Sequence, residues 1–286
     1  MHKRLWLVFA AITTLFWGVW GALIEAPEKA GFPATLGYTV WSLTMIPCAL
    51  VALRVIGWKL EHDGRSVLLG SAVGLLGAGG QIILFQVLRS APAYLVFPIV
   101  SLYPVVTVAL SVGLLKERAS RRAWVGIGTA LVALPLLSYQ PPGNGSTSGY
   151  LWLIGPVLVL LAWGVQAYIM KFSNQTMRAE SIFFYMMVTA QLFIPVAIYL
   201  TDFSRPINWG WSGPWQAALI QVLNSIGALM LVYAVRYGKA IIVVPMTSLA
   251  PVLTIVLSLM IYHVIPGPVL VVGMVLACFA IYVMAE

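Results

Sequence analysis

Two stretches of the chain set a serine between two prolines at the same spacing, Pro98-x2-Ser101-x2-Pro104 and Pro245-x2-Ser248-x2-Pro251. A proline inside a helix removes one hydrogen bond and clashes with the carbonyl four residues back. Each stretch should therefore bend, free carbonyl oxygens near its middle, and keep its serine on the face of both prolines. Pro98, Pro104, Pro245 and Pro251 are thus hinge candidates, and Ser101 and Ser248 are ligand candidates. Prolines are also tolerated in membrane helices, where serines bond back to their own backbone; the repetition favours a functional use. The amides Gln81, Gln86, Gln166, Gln191, Gln221 and Asn224 lie within apolar runs. An unpaired amide in hydrocarbon costs several kcal/mol, so these must face protein or water. Interhelical glue is their plain role. Gln221 and Asn224 share one helical face, and Gln81 shares a face with Gly74 and Gly77. Trp17 and Trp163 sit about 12 residues into their runs, deeper than an interfacial anchor needs. Such rings, with Trp20 beside Trp17, could wall a cavity for a flat apolar group or, by cation–π attraction, a quaternary ammonium. Trp17, Trp20, Gln81, Ser101, Trp163, Gln166, Gln221, Asn224 and Ser248 form the expected substrate-binding set.

The elements that hold these residues must be membrane helices. Of 286 residues, 61% are hydrophobic and 8% charged, against roughly 45–50% and 25% in soluble domains. A soluble enzyme and a disordered chain are both excluded. The net charge of +8 would suit nucleic acid only if the cations shared one face, whereas they fill short gaps between apolar runs. Ten runs, 5–24, 34–56, 67–88, 93–115, 122–139, 150–170, 181–200, 214–234, 240–263 and 267–284, approach the roughly 20 residues that cross a bilayer. Each must be helical, because lipid offers no partner to free backbone groups. Runs such as Leu151 to Val165 lack the alternation of a membrane barrel. The amino terminus and the gaps 54–65, 116–122, 171–180 and 236–239 hold 13 of the 16 Lys and Arg. That excess places both termini in the cytoplasm of a cell inner or plasma membrane. The first run follows His2-Lys3-Arg4 as a signal peptide would, but it is long, carries two tryptophans and lacks a small-x-small cleavage site. Cys48 and Cys278 fall inside apolar runs and give no disulfide framework.

The chain is a duplication. Residues 85–139 slide onto 232–286 at an offset of 147 with about 15 of 55 positions identical, sharing Pro-x-x-Ser-Leu-x-Pro-Val-x-Thr. Leu5-Trp6-Leu7 and Trp17-Gly18-Val19 meet Leu151-Trp152-Leu153 and Trp163-Gly164-Val165 at an offset of 146. The expected organisation is a first five-helix repeat over 1–139, an uncharged external linker over 140–149 and a second repeat over 150–286. Because five is odd, the second repeat enters the membrane upside down, the arrangement that builds alternating-access carriers around a site between repeats. The expected fold is an all-α membrane protein of ten transmembrane helices in two inverted repeats. A second repeated pattern, Gly126-x3-Ala130-x2-Ala133 and Gly273-x3-Ala277-x2-Ala280, lets helices approach closely and predicts packing within the bundle.

Five plus five spans, the Trp-Gly of the first span, and Pro104-x12-Glu117 followed by the Gly126 helix resemble the drug/metabolite transporter superfamily, in its ten-helix EamA-like branch. The resemblance covers nearly the whole chain. It implies a small-organic-molecule transporter with a cavity lined mainly by spans 1, 3, 4, 6, 8 and 9, and with spans 5 and 10 peripheral. The second-repeat counterpart of Glu117 is Val264, so a symmetric role for this acid does not carry over.

Charges at the mouths suggest gates. Glu25 and Arg89 end the first and third spans on the outer side, where they are expected to pair; their repeat mates Lys171 and Arg236 lie on the inner side. Two cations cannot pair, so the inner mouth should attract carboxylates or recruit Glu117 or Glu180. A cation at a helix C-terminus also satisfies the dipole without any gate. No acid lies deep in a span, which argues for facilitated or exchange transport. No Gly-x4-Gly-Lys-Ser/Thr loop, metal-ligand cluster or catalytic triad occurs, so no enzyme, cofactor or metal is expected. The expected function is secondary transport of a small metabolite, neutral or zwitterionic such as an amino acid, by a monomer or weak homodimer with no nucleic-acid partner. A carrier of cationic or aromatic compounds, and a membrane sensor that transports nothing, are the alternatives.

Overall fold

The computed structural model describes residues 4–90, 93–139, 151–262 and 267–285, with no strand among them. The linker expected over 140–149 lies outside the described residues. Leu5–Leu23 (α1), a short Glu25–Lys29 (α2), Ala34–Val55 (α3), Gly64–Ser90 (α4), Ala93–Val100 (α5), Tyr103–Gly113 (α6) and Arg121–Leu137 (α7) form the first part. The second holds Ile154–Ser173 (α8), Ala179–Leu192 (α9), Ile194–Tyr199 (α10), Gln216–Tyr237 (α11), Ala240–Thr247 (α12), Pro251–Tyr262 (α13) and Pro268–Ala285 (α14). Eight helical stretches are long and apolar enough to cross a membrane. Exposed Val51, Leu68, Leu219 and Val275 give the outer surface an apolar character that only lipid can cover. This is an integral membrane protein.

Ten runs were expected, and the two shortfalls have local causes. The run 122–139 becomes α7, whose 17 residues stand at the lower end of spanning lengths. The run 93–115 is divided between α5 and α6, because Pro104 has no N–H to give the carbonyl of Val100. The backbone tightens there instead: Leu102 N–H reaches Ile99 C=O at 3.1 Å and Val105 N–H reaches Leu102 C=O at 2.9 Å. The same turn recurs ahead of Pro251, where Leu249 bonds Met246 at 3.2 Å and Val252 bonds Leu249 at 3.0 Å. Pro245 stays inside α12 without breaking it, and position 98 falls within α5, its side chain outside the described residues. A third break, at Phe193 ahead of Pro195, divides the expected run 181–200 into α9 and α10. At the start of α4, the Asp63 carboxylate accepts from the Ser66 hydroxyl at 2.6 Å and its N–H at 3.2 Å. Those two bonds hold the Asp63 carboxyl below the usual carboxylate range.

Helix packing crosses the chain's midpoint. α1 lies against α11 and α13, α8 lies against α4 and α6, and α3 meets α9. α7 and α14 pack on each other along the small-residue stripes. Ala130, Ala133, Ala277 and Ala280 are fully buried there, and a Cβ at Gly126 would come within 2.6 Å of Met284 Cγ. The stripe is spent inside the bundle.

Candidate functional site

The Trp-Gly of α1 and that of α8 make matched contacts. Trp17 Nε1–H donates to the Asn224 carbonyl at 3.4 Å, and Trp163 Nε1–H donates to the Gly77 carbonyl at 3.2 Å. Thr254 donates its hydroxyl to the Gly18 carbonyl at 3.0 Å, and Thr107 donates to the Gly164 carbonyl at 2.9 Å. Position 224 is 147 residues after 77, and 254 is 147 after 107. Each indole also lies on a glycine. A Cβ at Gly80 would fall 2.5 Å from Trp163 Nε1, and one at Gly227 would fall 2.6 Å from Trp17 Cδ1. In each half the first helix is therefore gripped by helices of the other half.

The broken helices meet between these grips. Ser248, at the end of α12, donates to the Tyr103 hydroxyl at 2.7 Å, and the Tyr103 ring meets Trp163 edge-on at 5.9 Å. Ser248, Trp163 and Tyr103 thus join spans 4, 6 and 9 at the two breaks. Gln166 packs beside them, its Nε2 2.2 Å from where a Cβ at Gly77 would stand. Ser101 is half-buried in the tight turn that precedes Tyr103. Trp20, Gln221 and Asn224 gather elsewhere: Trp20 Nε1–H donates to Gln221 Oε1 at 3.0 Å, and Gln221 Nε2 donates to the Gly37 carbonyl at 3.3 Å. Gln221 is almost fully buried and joins α1, α3 and α11 as glue. Gln191 does the same between α9 and α3, donating to the Ser42 carbonyl at 2.6 Å. Gln81 is half-buried on α4, and Gln86 lies on an exposed face.

Tyr103, Thr107 and Thr254 were absent from the expected set. The two threonines close the repeated Pro-x-x-Ser-Leu-x-Pro-Val-x-Thr core, so the repeat itself carried the signal for them. Nothing in sequence marks Trp41 of α3, whose indole N–H is buried without a hydrogen-bond partner among the described residues, as are Thr39 Oγ1 and Ser111 Oγ. Buried donors left unpaired are rare in native proteins and mark sites of function or bound water.

At the end expected to face outward, Glu25 pairs with Lys29 one turn along, at 2.7 Å, both side chains about two-thirds exposed. The side chain of Arg89 lies outside the described residues, as do His263 and Val264. At the opposite end of the bundle, polar contacts link several helices. The Glu117 carboxylate accepts from Ala240 N–H at 3.2 Å and Ile241 N–H at 3.1 Å, capping α12, and lies 3.8 Å from Lys171 Nζ. Capping suits it, since a carboxylate is favoured at the positive end of a helix. Lys171 donates to the carbonyls of Val235 at 2.9 Å and Gly238 at 2.5 Å, closing the C-terminus of α11. Arg236 donates to the Met177 carbonyl at 3.0 Å, and Tyr233 donates to Glu180 at 2.5 Å. Among the described residues no group of three His, Cys, Asp or Glu could hold a metal.

The chain matches the model of the EamA-like transporter family twice, over residues 4–139 and 147–285. It is 25% identical over 247 residues to protein RarD of Streptomyces exfoliatus, covering 78% of this chain and 70% of RarD. It is 22% identical over 184 residues to protein LicB of Haemophilus influenzae (62% of this chain, 61% of LicB), so it spans less than two thirds of that relative. A protein of solved crystal structure superposes with a TM-score of 0.80 at 19% identity, over 99% of this chain and 96% of its own.

Proposed function

The chain belongs to the EamA-like transporter family, within the drug/metabolite transporter superfamily, and from that premise we propose that it is a secondary carrier. It moves a small organic metabolite, neutral or zwitterionic such as an amino acid, by alternating access between two inverted five-helix repeats, 1–139 and 150–286. One observation carries the reading: the matched bonds of Trp17 and Trp163, with those of Thr254 and Thr107, which relate the halves as an inverted repeat would.

Those bonds also support one division of the moving parts. α1 travels with α11, α12 and α13, and α8 travels with α4, α5 and α6, so each rocking unit draws on both repeats. The face rich in Lys and Arg, cytoplasmic by the charge rule, is the one where Glu117 and Lys171 tie the units together, with Arg236 and Glu180 adding contacts between α11 and the segment 177–180. The chain is thus closed on that side, and transport requires those ties to part. Pro104 and Pro251 supply the bends about which the units flex.

The substrate site lies at the two breaks, where Ser248 and Tyr103 offer hydroxyls and Trp163 a ring. Both deep indoles are pinned to backbone carbonyls and glycines, an arrangement that favours an acceptor-bearing substrate over a quaternary ammonium held in an aromatic cage.

Counterflow in liposomes tests the reading. Protein loaded with a panel of unlabelled amino acids should drive saturable uptake of at least one labelled member, and Tyr103→Phe/Ser248→Ala should weaken it. Binding of a panel compound with no counterflow of any would replace the carrier by a sensor.

A further inference from the structure

The connection between α10 and α11, at the end of the bundle away from the cation-rich face, exposes five aromatic side chains with the helix ends that flank it: Tyr199, Phe203, Trp209, Trp211 and Trp215. The three indoles are 61%, 68% and 62% exposed, whereas tryptophan is highly buried on average. We propose that this connection lies in the headgroup–acyl boundary of the bilayer, where Trp209, Trp211 and Trp215 anchor it among glycerophospholipids.

The backbone beneath the indoles is fixed. Asn208 donates its N–H to the Gly31 carbonyl at 3.1 Å and its side-chain N–H to the Ala30 carbonyl at 3.0 Å. A Cβ at Gly213 would fall 1.9 Å from the Asn208 carbonyl oxygen, so the wide turn Trp211–Trp215 closes directly on that residue. Trp209 also meets the buried Phe32 edge-on at 6.2 Å. The first half of the chain offers an internal comparison. Glu61 stands 147 residues before Asn208, and Arg178 stands 147 after Gly31. The Glu61 carboxylate accepts from Arg178 N–H at 3.3 Å, so a matching fastening exists at the cation-rich face. There the positions 147 before the five aromatics are Ala52, Ile56, His62, Gly64 and Leu68. That connection, 56–63, holds one aromatic, Trp58, among Lys59, Glu61, His62 and Asp63, a composition suited to water. The fastening therefore does not call for aromatic rings, and a contiguous exposed patch of them marks an interaction surface. Lipid-facing surface runs into the patch from both sides. Leu192 and Val196 are exposed on the approach to Tyr199, and Leu219 is exposed one turn beyond Trp215. A ring at that level buries its apolar body while its N–H reaches the headgroups.

Nitroxide labels on cysteines replacing Trp209, Trp211 and Trp215 one at a time, with Cys48 and Cys278 replaced by serine, test the assignment in nanodiscs holding a single chain. Collision with a water-soluble nickel chelate should be at least about fivefold rarer than at exposed His62, the counterpart of Trp209, and more frequent than at Leu219. In the unlabelled chain, the fluorescence lost in Trp209→Phe/Trp211→Phe/Trp215→Phe should be quenched more by lipids brominated near the headgroup than by lipids brominated near the chain end. Collision rates equal to that at His62 would place the connection in water and overturn the proposal, as would equal quenching by the two lipids. Shielding found in liposomes holding many copies but lost in the single-chain nanodiscs would assign the surface to a second copy and overturn it likewise. None of these readouts involves transport, so the anchor and the carrier stand or fall separately.

Discussion

Glu117 accepts two N–H groups from the first turn of α12 and faces Lys171, with a side chain only 9% exposed. Removing it uncaps a helix and leaves Lys171 beside carbonyls alone. Loss of a cap costs about 0.5–2 kcal/mol, and a partly buried charge without its partner adds to that. Glu117→Ala should therefore lower the melting temperature more than Glu117→Gln, which keeps one acceptor oxygen. Lys171→Ala should be destabilising too, because the carbonyls of Val235 and Gly238 lose their donor. The two residues share one network, so the double variant should fall short of the sum by about 0.5–3 kcal/mol. Strict additivity in detergent melting curves would show that the two act separately. Both are singled out in sequence only as a mouth cation and a nearby acid. The cap is a relation between residues 123 positions apart, and spacing says nothing about it.

Elements in this chain are set by which residues lie between helices. Gly80 and Gly227 allow Trp163 and Trp17 to lie against α4 and α11, whereas Gly128 on α7 has open space where a Cβ would stand. Gly80→Ala should cost about 1–3 kcal/mol through overpacking. Gly128→Ala should be neutral or stabilising by up to about 1 kcal/mol, through helix propensity. Equal melting temperatures for the two variants would refute this account of the packing. The apolar runs foretold nearly every helix because hydrocarbon leaves the backbone no alternative to helical bonds. The breaks before Pro104 and Pro251 were legible as well, since a missing N–H acts locally. The break ahead of Pro195 occurs in one half only, so the repeat that flagged the other two was silent there. Within the candidate site, Trp163 and Ser248 were legible through repetition or unusual depth. Tyr103 has Ala250 as its repeat mate, and Trp41 becomes notable only when its surroundings fail to supply an acceptor. Gln221 was read as a ligand candidate, yet its two partners come from α1 and α3, and no pattern within α11 discloses them.

At the scale of the whole molecule, the ties at the cation-rich face should set the balance between closed and open states. In the proposed carrier, Glu117, which follows α6, caps α12, and Lys171 of α8 holds the end of α11, so both ties cross between the units and would favour the closed state. An interaction that favours one state shifts the equilibrium by its full differential free energy, and about 1.4 kcal/mol changes the ratio tenfold. Ala240 reports on this directly, since it is fully buried at the start of α12, where Glu117 caps it. A cysteine placed there, with Cys48 and Cys278 replaced by serine, should react slowly with a membrane-impermeant maleimide applied from the cation-rich side. Adding Glu117→Gln and Lys171→Gln should raise its labelling rate at least tenfold, while a cysteine at exposed Arg54 labels at an unchanged rate. A labelling rate at position 240 that does not respond would mean that these ties hold α12 in shape without closing the mouth. The opening would then have to lie elsewhere, at the outer ends of α1 and α4.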